Sequence, residues 1–300
     1  MATTYTHIAA NKRKSFILLL VFFAIIIGIG YTIDAVQGSG SWFWVIIALI
    51  YGIVSALVGY FSGDKIALWT SGAREITKEQ NAYLYRMVEN LAITTGLPTP
   101  KVFIIPDDDI NAFATGRDPQ HASIAVTQGA IQKLENEELE GVVAHELSHI
   151  GNYDIRYMTL VIVLVGTIMV LSDMFWRVRF FGGRGNNRDS GAGGIIAIVG
   201  IALLILSPIF AELIRLAVSR KREYLADASG ALLTRYPEGL ARALEKIKVQ
   251  GARIERASKS TAHLYFANPL AGGATHLFST HPPIDKRIAT LREMGNITQR

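Results

Sequence analysis

Two long apolar runs near the start of the chain limit its fold more than any other feature. They cover residues 16–33 and 42–61. Each is close to the roughly 20 residues that an α-helix needs to cross the hydrocarbon core of a bilayer. The first is interpreted as a retained anchor, because its apolar core is long for a signal peptide and no small-residue cleavage site clearly follows. Less uniform runs follow at residues 158–176 and 193–218. The sequence therefore predicts a membrane protein with about four apolar helices.

Basic residues predict the orientation of the first two helices. Lys12, Arg13 and Lys14 precede the first run, and Lys65 and Arg74 follow the second, whereas the loop between them has no basic residue. The positive-inside rule then places the N-terminus, and the chain after the second run, in the cytoplasm. Four arginines in the loop between the third and fourth runs do not fit this pattern. That pair either spans with a basic loop outside or forms a hairpin that does not fully cross.

Composition narrows the chemistry and the partners. The chain has no cysteine, so disulfides, thiol nucleophiles and thiolate metal sites are excluded, and a metal site has to use His, Asp or Glu. The net charge is +5, but the basic residues cluster beside apolar runs and form no stripe interleaved with aromatic residues. A lipid bilayer is therefore predicted as a partner, and nucleic acid is not.

The segment between the second and third runs predicts a soluble α+β unit. Residues 77–96 have helical spacing, and the β-branched runs 101–105 and 123–127 predict two strands with INAFATG between them. A helix with Asn136 as its N-cap and glutamates in its first turn follows. The sequence therefore predicts four parts: a two-span anchor at 1–62, a catalytic part at 63–157, an apolar hairpin at 158–218 and a C-terminal catalytic part at 219–300.

The segment HELSH on that helix carries the predicted chemistry. His145 and His149 are four residues apart, so both imidazoles lie on one helix face and can reach one metal ion. Glu146 can take a proton from the water that attacks a peptide carbonyl. The competing interpretation is an ordinary amphipathic helix, and H-E-x-x-H occurs by chance in about one chain of this size in a hundred. The motif alone therefore suggests a metal site without establishing it.

A catalytic zinc ion needs three protein ligands and an open position, so a third ligand has to come from elsewhere. If the third and fourth runs form a hairpin, the chain returns to the side that it left, and Glu223 is placed to meet the histidines. Asp227 lies one turn further on the same face and is suited to orient a ligating imidazole. Alternatively, Glu223 pairs with Arg220 or Arg222 on a solvated face.

The order and spacing of several motifs resemble the HtpX-type membrane metalloproteases, relatives of the CAAX prenyl endopeptidases. The motifs are NAFATG at 111–116, HELSHIGNYD at 145–154, the E-x-x-x-D of Glu223 and Asp227, and STHPPIDKRI at 279–288. The resemblance covers nearly the whole chain. It implies a predominantly helical α+β, zincin-like metalloprotease, with a small sheet that bears a substrate-binding edge strand. It also implies one zinc ion per chain, bound by His145, His149 and Glu223. Glu146 would be the general base, and Asp227 would orient His145.

The same resemblance suggests how a substrate binds. Backbone groups around Asn111, Ala112 and Phe113 would pair with an extended peptide by strand addition, although a simple turn is the alternative. His281, at the entry to the final helix, would stabilise the oxyanion of the tetrahedral intermediate or cap that helix. Arg287 would hold the same segment or the oxyanion.

The predicted function is a membrane-bound zinc endopeptidase that cuts protein or peptide substrates, membrane proteins among them. The resemblance implies protein quality control at the bacterial inner membrane, with a multi-pass chain whose site faces the cytoplasm. An intramembrane protease is one alternative, but the polar neighbours of HELSH, ENEELEG and GNYDIR, place the site at or outside the interface. A transporter or scaffold with a structural metal site is the other, and it would not need Glu146. The oligomeric state stays open.

Overall fold

The computed structural model describes residues 4–37, 41–161, 163–164, 166–167, 220–250, 264–267 and 282–298. Its helices are α1 (Thr4–Gln37), α2 (Phe43–Ser71), α3 (Ala82–Thr95), α4 (Gln128–Lys133), α5 (Asn136–Gly151), α6 (Arg220–Thr234), α7 (Pro237–Gln250) and α8 (Ile284–Thr298). Its strands are β1 (Arg74–Glu75), β2 (Lys101–Ile105), β3 (Ala112–Gly116) and β4 (Ala122–Thr127). The predominantly helical α+β class predicted from the sequence is confirmed.

Helices α1 and α2 form an antiparallel pair that is long and apolar enough to cross a membrane. The qualifying stretches are Ala9–Tyr31 and Phe43–Ser71. The helices approach closely at glycines, since a Cβ built on Gly30 would lie 2.8 Å from the backbone oxygen of Trp44. On α2, exposed apolar side chains extend along the helix, including Ile46, Ile50, Ile53, Val54, Leu57 and Phe61. Such a continuous apolar surface suits a lipid environment and not water.

Two of the four predicted apolar helices are therefore present in the described part of the chain. The third run is helical through residue 167, apart from residues 162 and 165, which are not described. This helical segment packs on α2, where Val163 and Thr159 approach Gly59 and Gly63. The fourth run, residues 193–218, lies outside the described residues. The prediction of four apolar helices is thus only partly confirmed.

The sheet has four strands in the order β1-β2-β4-β3. β2 and β4 are parallel, with Phe103 opposite Ala125, whereas β1 pairs antiparallel with β2 and β3 pairs antiparallel with β4. Both strands predicted at residues 101–105 and 123–127 are present. The intervening NAFATG segment forms β3, an edge strand of this sheet, with all five of its residues buried. Burial of an edge strand requires other elements to cover its free side.

Helix α5 lies at the centre of the catalytic part, in contact with β3, α6 and α7. Its N-cap is Glu135, one residue before the predicted Asn136, because the carboxylate of Glu138 accepts a hydrogen bond from the backbone N–H of Glu135 at 2.9 Å. Two glycines allow the neighbouring helices to approach. A Cβ on Gly141 would lie 2.9 Å from the backbone nitrogen of Leu240 in α7, and one on Gly230 of α6 would lie 3.0 Å from that of His145.

Candidate active site

Helix α5 places His145, Glu146 and His149 in the interior, where at most 5% of each residue is exposed. The Nε2 atoms of the two histidines are 3.2 Å apart. Glu223 from α6 completes the group, with carboxylate oxygens 3.8 Å from Nε2 of His145 and 3.7 Å from Nε2 of His149. The ligand atoms of all three side chains lie within 4.8 Å of one another. The three residues predicted to bind zinc are therefore brought together.

This arrangement fits a single small cation. Two nitrogen ligands of a tetrahedral zinc ion, each about 2.0–2.1 Å from it, are separated by about 3.3 Å. The observed 3.2 Å between the imidazole nitrogens matches that separation. The carboxylate of Glu223 lies slightly farther away, within the reach of a small side-chain rotation. Two imidazoles and one carboxylate are also a donor set that suits zinc.

Asp227 and Arg287 support the first histidine. Oδ1 of Asp227 lies 2.9 Å from Nδ1 of His145, the imidazole on which the resemblance implies that it acts. Arg287 of α8 donates two hydrogen bonds to the Asp227 carboxylate, at 2.8 and 2.6 Å. All three side chains are buried. Arg287 thus lies beside the predicted ligands and holds Asp227, a contact that the sequence analysis did not foresee.

Asp154 supports the second histidine and was not among the residues predicted from the sequence. Its Oδ2 lies 3.0 Å from Nδ1 of His149, and its Oδ1 accepts a hydrogen bond from Asn11 of α1 at 2.7 Å. The chain returns to His149 because Tyr153, just after α5, has the left-handed φ of 60°. The one available signal was the aspartate that closes the motif HELSHIGNYD. Nothing in the sequence pointed to Asn11, which lies 143 residues before Asp154.

The pKa values in the group depend on burial and on the nearby carboxylates. Burial lowers the pKa of His145 to about 4, despite its contact with Asp227. Burial also lowers the pKa of His149, but Asp154 and Glu223 outweigh it and raise this pKa to about 9. For Asp227, burial raises the pKa, but Arg287 outweighs burial and holds it well below its usual range. The pKa values of the two histidines are therefore shifted in opposite directions.

Glu146 is buried beside the predicted ligands and contacts the edge strand. Burial raises the pKa of Glu146 to about 7, and Glu223 raises it further, whereas His149 opposes this shift. The backbone N–H of Ala114 in β3 donates a hydrogen bond to the Glu146 carboxylate. A carboxylate with a pKa near neutrality can both accept and return a proton at physiological pH.

Residues 265–267 of the chain itself contact the predicted substrate-binding residues. The backbone oxygen of Ala112 accepts a hydrogen bond from the backbone N–H of Phe266, and the side chain of Asn111 pairs with the backbone of Ala267. Phe113 packs its ring on Tyr265. The backbone of Phe113 lies opposite Ala125 in the antiparallel pair of β3 and β4. His281 lies outside the described residues.

The fold and the site together define a membrane-anchored metalloendopeptidase with its metal-binding group on and beside the HELSH helix. Comparison with known proteins gives the same class, since the model of Peptidase family M48 matches residues 78–295, more than half of the chain. The chain belongs to Peptidase family M48. It is a membrane-bound zinc metalloprotease, which confirms the class predicted from the sequence, and nothing in the comparisons supports the non-proteolytic alternative.

Curated relatives extend the match over nearly the whole chain. The "Protease HtpX homolog" of Dictyoglomus thermophilum is 45% identical over 293 residues, which cover 98% of this chain and 95% of the relative. The protein of the same name from Tropheryma whipplei (strain Twist) is 46% identical over 293 residues, 97% of this chain and 99% of the relative. The resemblance to HtpX-type proteases is therefore confirmed.

A solved structure supports the fold. The crystal structure of Ste24p from S. mikatae superposes with a TM-score of 0.52 and covers 94% of this chain. The sequence identity is 19%, and this chain spans 66% of the length of Ste24p. The likeness shows that the two proteins share a fold.

Proposed function

We propose that the protein binds one zinc ion per chain through His145, His149 and Glu223 and hydrolyses peptide bonds with Glu146 as its general base. The observation that carries this proposal is the convergence of two imidazole nitrogens, 3.2 Å apart, with the Glu223 carboxylate in a buried site. A zinc ion bound there supplies a Lewis acid that lowers the pKa of its water and polarises the substrate carbonyl. The side chains of the protein carry out the proton transfers and hold the ligands in place.

Glu146 takes the proton of the attacking water and returns it to the leaving amine. Its pKa of about 7 suits both transfers, and the N–H of Ala114 fixes the carboxylate that performs them. Asp227 and Asp154 each face the Nδ1 atom of one histidine. Each contact holds its ring in the tautomer and orientation that leave Nε2 directed to the metal position.

The proposed substrate-binding residues are Asn111, Ala112, Phe113 and Arg287, as the resemblance implies. The support is the position of β3 at a sheet edge, next to Glu146. An extended peptide adds to such an edge through backbone hydrogen bonds. His281 remains a proposed oxyanion donor, and no contact among the described residues bears on it.

We place the protein in the bacterial inner membrane as a multi-pass protein, with the site facing the cytoplasm. The support is that the basic end of α1 contacts the catalytic part: Asn11 donates to the backbone oxygen of Asn152, and the Lys12 ammonium lies 4.6 Å from the centre of the Tyr153 ring. Because basic residues flank cytoplasmic helix ends, the site shares the cytoplasmic side. The division at residues 62, 157 and 218 stays a prediction, although α2 itself continues to Ser71.

The proposed substrates are membrane or misfolded proteins, cleaved as part of quality control. Because α1 of the membrane anchor contacts the catalytic part, the site is within reach of polypeptide that leaves the bilayer on the same side. The relatives support proteolysis, and the substrate class rests on this position and on the resemblance.

The test compares Glu146→Ala with the wild type in purified, detergent-solubilised protein, using a casein-like substrate. We expect Glu146→Ala to retain one zinc ion per chain and to lose at least about 100-fold in kcat, the usual contribution of a positioned general base. The matched control is Ser148→Ala, on the same helix, whose hydroxyl donates only within α5 to the backbone of Ala144. Zinc retention with cleavage at the original rate would overturn the mechanism.

A further inference from the structure

A short segment of the chain itself covers the free edge of β3. Residues Leu264–Ala267 form a turn followed by bends beside the strand, with Phe266 next to Ala112 and Ala267 next to Asn111. The backbone N–H of Phe266 donates to the oxygen of Ala112 at 2.8 Å. The Asn111 amide accepts from the N–H of Ala267 at 3.1 Å and donates to its oxygen at 2.9 Å. These contacts engage the backbone of the segment, so they do not depend on its sequence.

The side chains of Tyr265 and Phe266 point to opposite sides of β3. Tyr265 is opposite Phe113, and their rings meet edge to face with centroids 5.1 Å apart. Phe266 points to the other side, toward the metal-binding group. Its ring centroid lies 4.9 Å from that of His145, and the guanidinium of Arg287 lies 4.7 Å from it. The same arginine donates to the backbone oxygen of Phe266 at 3.4 Å.

The segment therefore uses the groups that the proposed function assigns to the substrate. Asn111, Ala112 and Arg287 are all engaged by two successive residues, Phe266 and Ala267. Strand addition to a sheet edge is also how an extended peptide substrate would bind, so segment and substrate compete for the same hydrogen-bonding groups. The position of the Phe266 ring against His145 marks a pocket for one side chain next to the reacting centre.

We propose that Leu264–Ala267 is an internal pseudosubstrate that a substrate has to displace, and that the pocket filled by Phe266 accepts a large apolar side chain of the substrate. This inference rests on the proposed function, because it names the substrate class and the regulation of the same site. The Tyr265 hydroxyl has no hydrogen-bond partner among the described residues although it is buried. Burial of an unpaired hydroxyl is unfavourable, so release of the segment relieves it.

The first test measures displacement directly. Because the chain has no cysteine, Leu264→Cys introduces a single thiol, and Leu264 is only 5% exposed. In a Glu146→Gln background, which prevents turnover, the thiol is labelled with a maleimide while the capped tetrapeptide LYFA is added, with LYAA as the control peptide. We expect LYFA to raise the labelling rate about tenfold or more by shifting the population toward the open state, and LYAA to have little effect. Equal labelling at saturating LYFA would overturn the proposal.

The second test separates regulation from structural support. Phe266→Ala is compared with the wild type on a short fluorogenic peptide that carries a phenylalanine. If the segment competes with substrate, KM falls several-fold at unchanged kcat and unchanged zinc content. If Phe266 only supports His145, zinc content and kcat fall together, which contradicts the proposal. Phe22→Ala is the matched control, since Phe22 is equally buried but lies in α1.

Failure of the proposed function and failure of the pseudosubstrate proposal give different experimental results. Absence of any Glu146-dependent cleavage by the wild type would remove the proposed function, and the pseudosubstrate with it. Glu146-dependent cleavage with unchanged labelling in the presence of LYFA would remove the pseudosubstrate alone. Should Phe266→Ala fail to fold, the labelling experiment still decides, because Leu264→Cys leaves the aromatic ring in place.

Discussion

Nδ1 of His149 lies 3.0 Å from Oδ2 of Asp154, and both side chains are buried. The pair repeats, on the second histidine, the contact that Asp227 makes with His145 at 2.9 Å. In the proposed zinc site, each carboxylate would hold one imidazole with its Nε2 directed to the metal. The two carboxylates come from different parts of the chain, so the proposed site depends on α6 and on the turn after α5 together.

Replacing Asp154 should weaken zinc binding. We expect Asp154→Ala to reduce the zinc affinity by about 10- to 100-fold, because the orienting partner of His149 is lost. The measurement is competition with a zinc chelator in detergent. Asp285→Ala is the control, since Asp285 is exposed and pairs with Lys248 on the surface. An affinity equal to that of the wild type would show that Asp154 does not orient the ligand.

The membrane anchor should contribute to the stability of the site. Asn11 of α1 donates to Asp154 at 2.7 Å and to the backbone oxygen of Asn152 at 3.0 Å. We expect Asn11→Ala to lower the free energy of unfolding by about 1–3 kcal/mol, because buried acceptors lose their donor, and to weaken zinc binding less than Asp154→Ala does. Thermal unfolding and chelator competition measure the two effects. Ser15→Ala, one turn further along α1, should change neither, since its hydroxyl donates within the helix.

Replacing Arg287 should destabilise the protein, and lysine should restore only part of the loss. Its planar guanidinium makes a bidentate contact with Asp227, which the single ammonium of a lysine does not reproduce. We expect Arg287→Ala to destabilise the protein by about 3–5 kcal/mol, because a buried carboxylate loses its partner, and Arg287→Lys to be intermediate. Chemical unfolding measures this. Arg292→Lys, on the exposed face of α8, should stay within about 0.5 kcal/mol, and a similar loss there would contradict the argument.

Close approach of α6 to α5 should be essential for metal binding. A Cβ on Gly230 would lie 3.0 Å from the backbone nitrogen of His145, so Gly230→Ala has to push apart the helices that carry Glu223 and His145. We expect a cost of about 1–3 kcal/mol in stability and a loss of zinc affinity. Gly295→Ala is the control, because a Cβ at that position meets nothing within 4 Å. Unchanged zinc content in Gly230→Ala would show that the helix spacing is not limiting.

Local periodicity accounts for most of what could be predicted. The apolar runs form α1 and α2 because length and composition suffice to specify a membrane helix. His145 and His149 share a helix face because they are four residues apart, and Asp227 follows Glu223 at the same spacing. Asp154 is visible in the sequence, but its contact with His149 depends on the left-handed turn at Tyr153. That turn is a feature of the folded backbone, and no periodicity in the sequence predicts it.

The sequence by itself determined the membrane anchor, the metal-binding residue types and the protease class. Only the tertiary structure decided which groups surround them. Ala267 contacts Asn111 from 156 residues away, and Asn11 contacts Asp154 from 143 residues away. No periodicity encodes such pairs, because they arise when the edge of β3 and the buried carboxylates need partners that only the packed chain can supply. The covering of the proposed substrate edge by the chain's own residues is therefore a property of the fold.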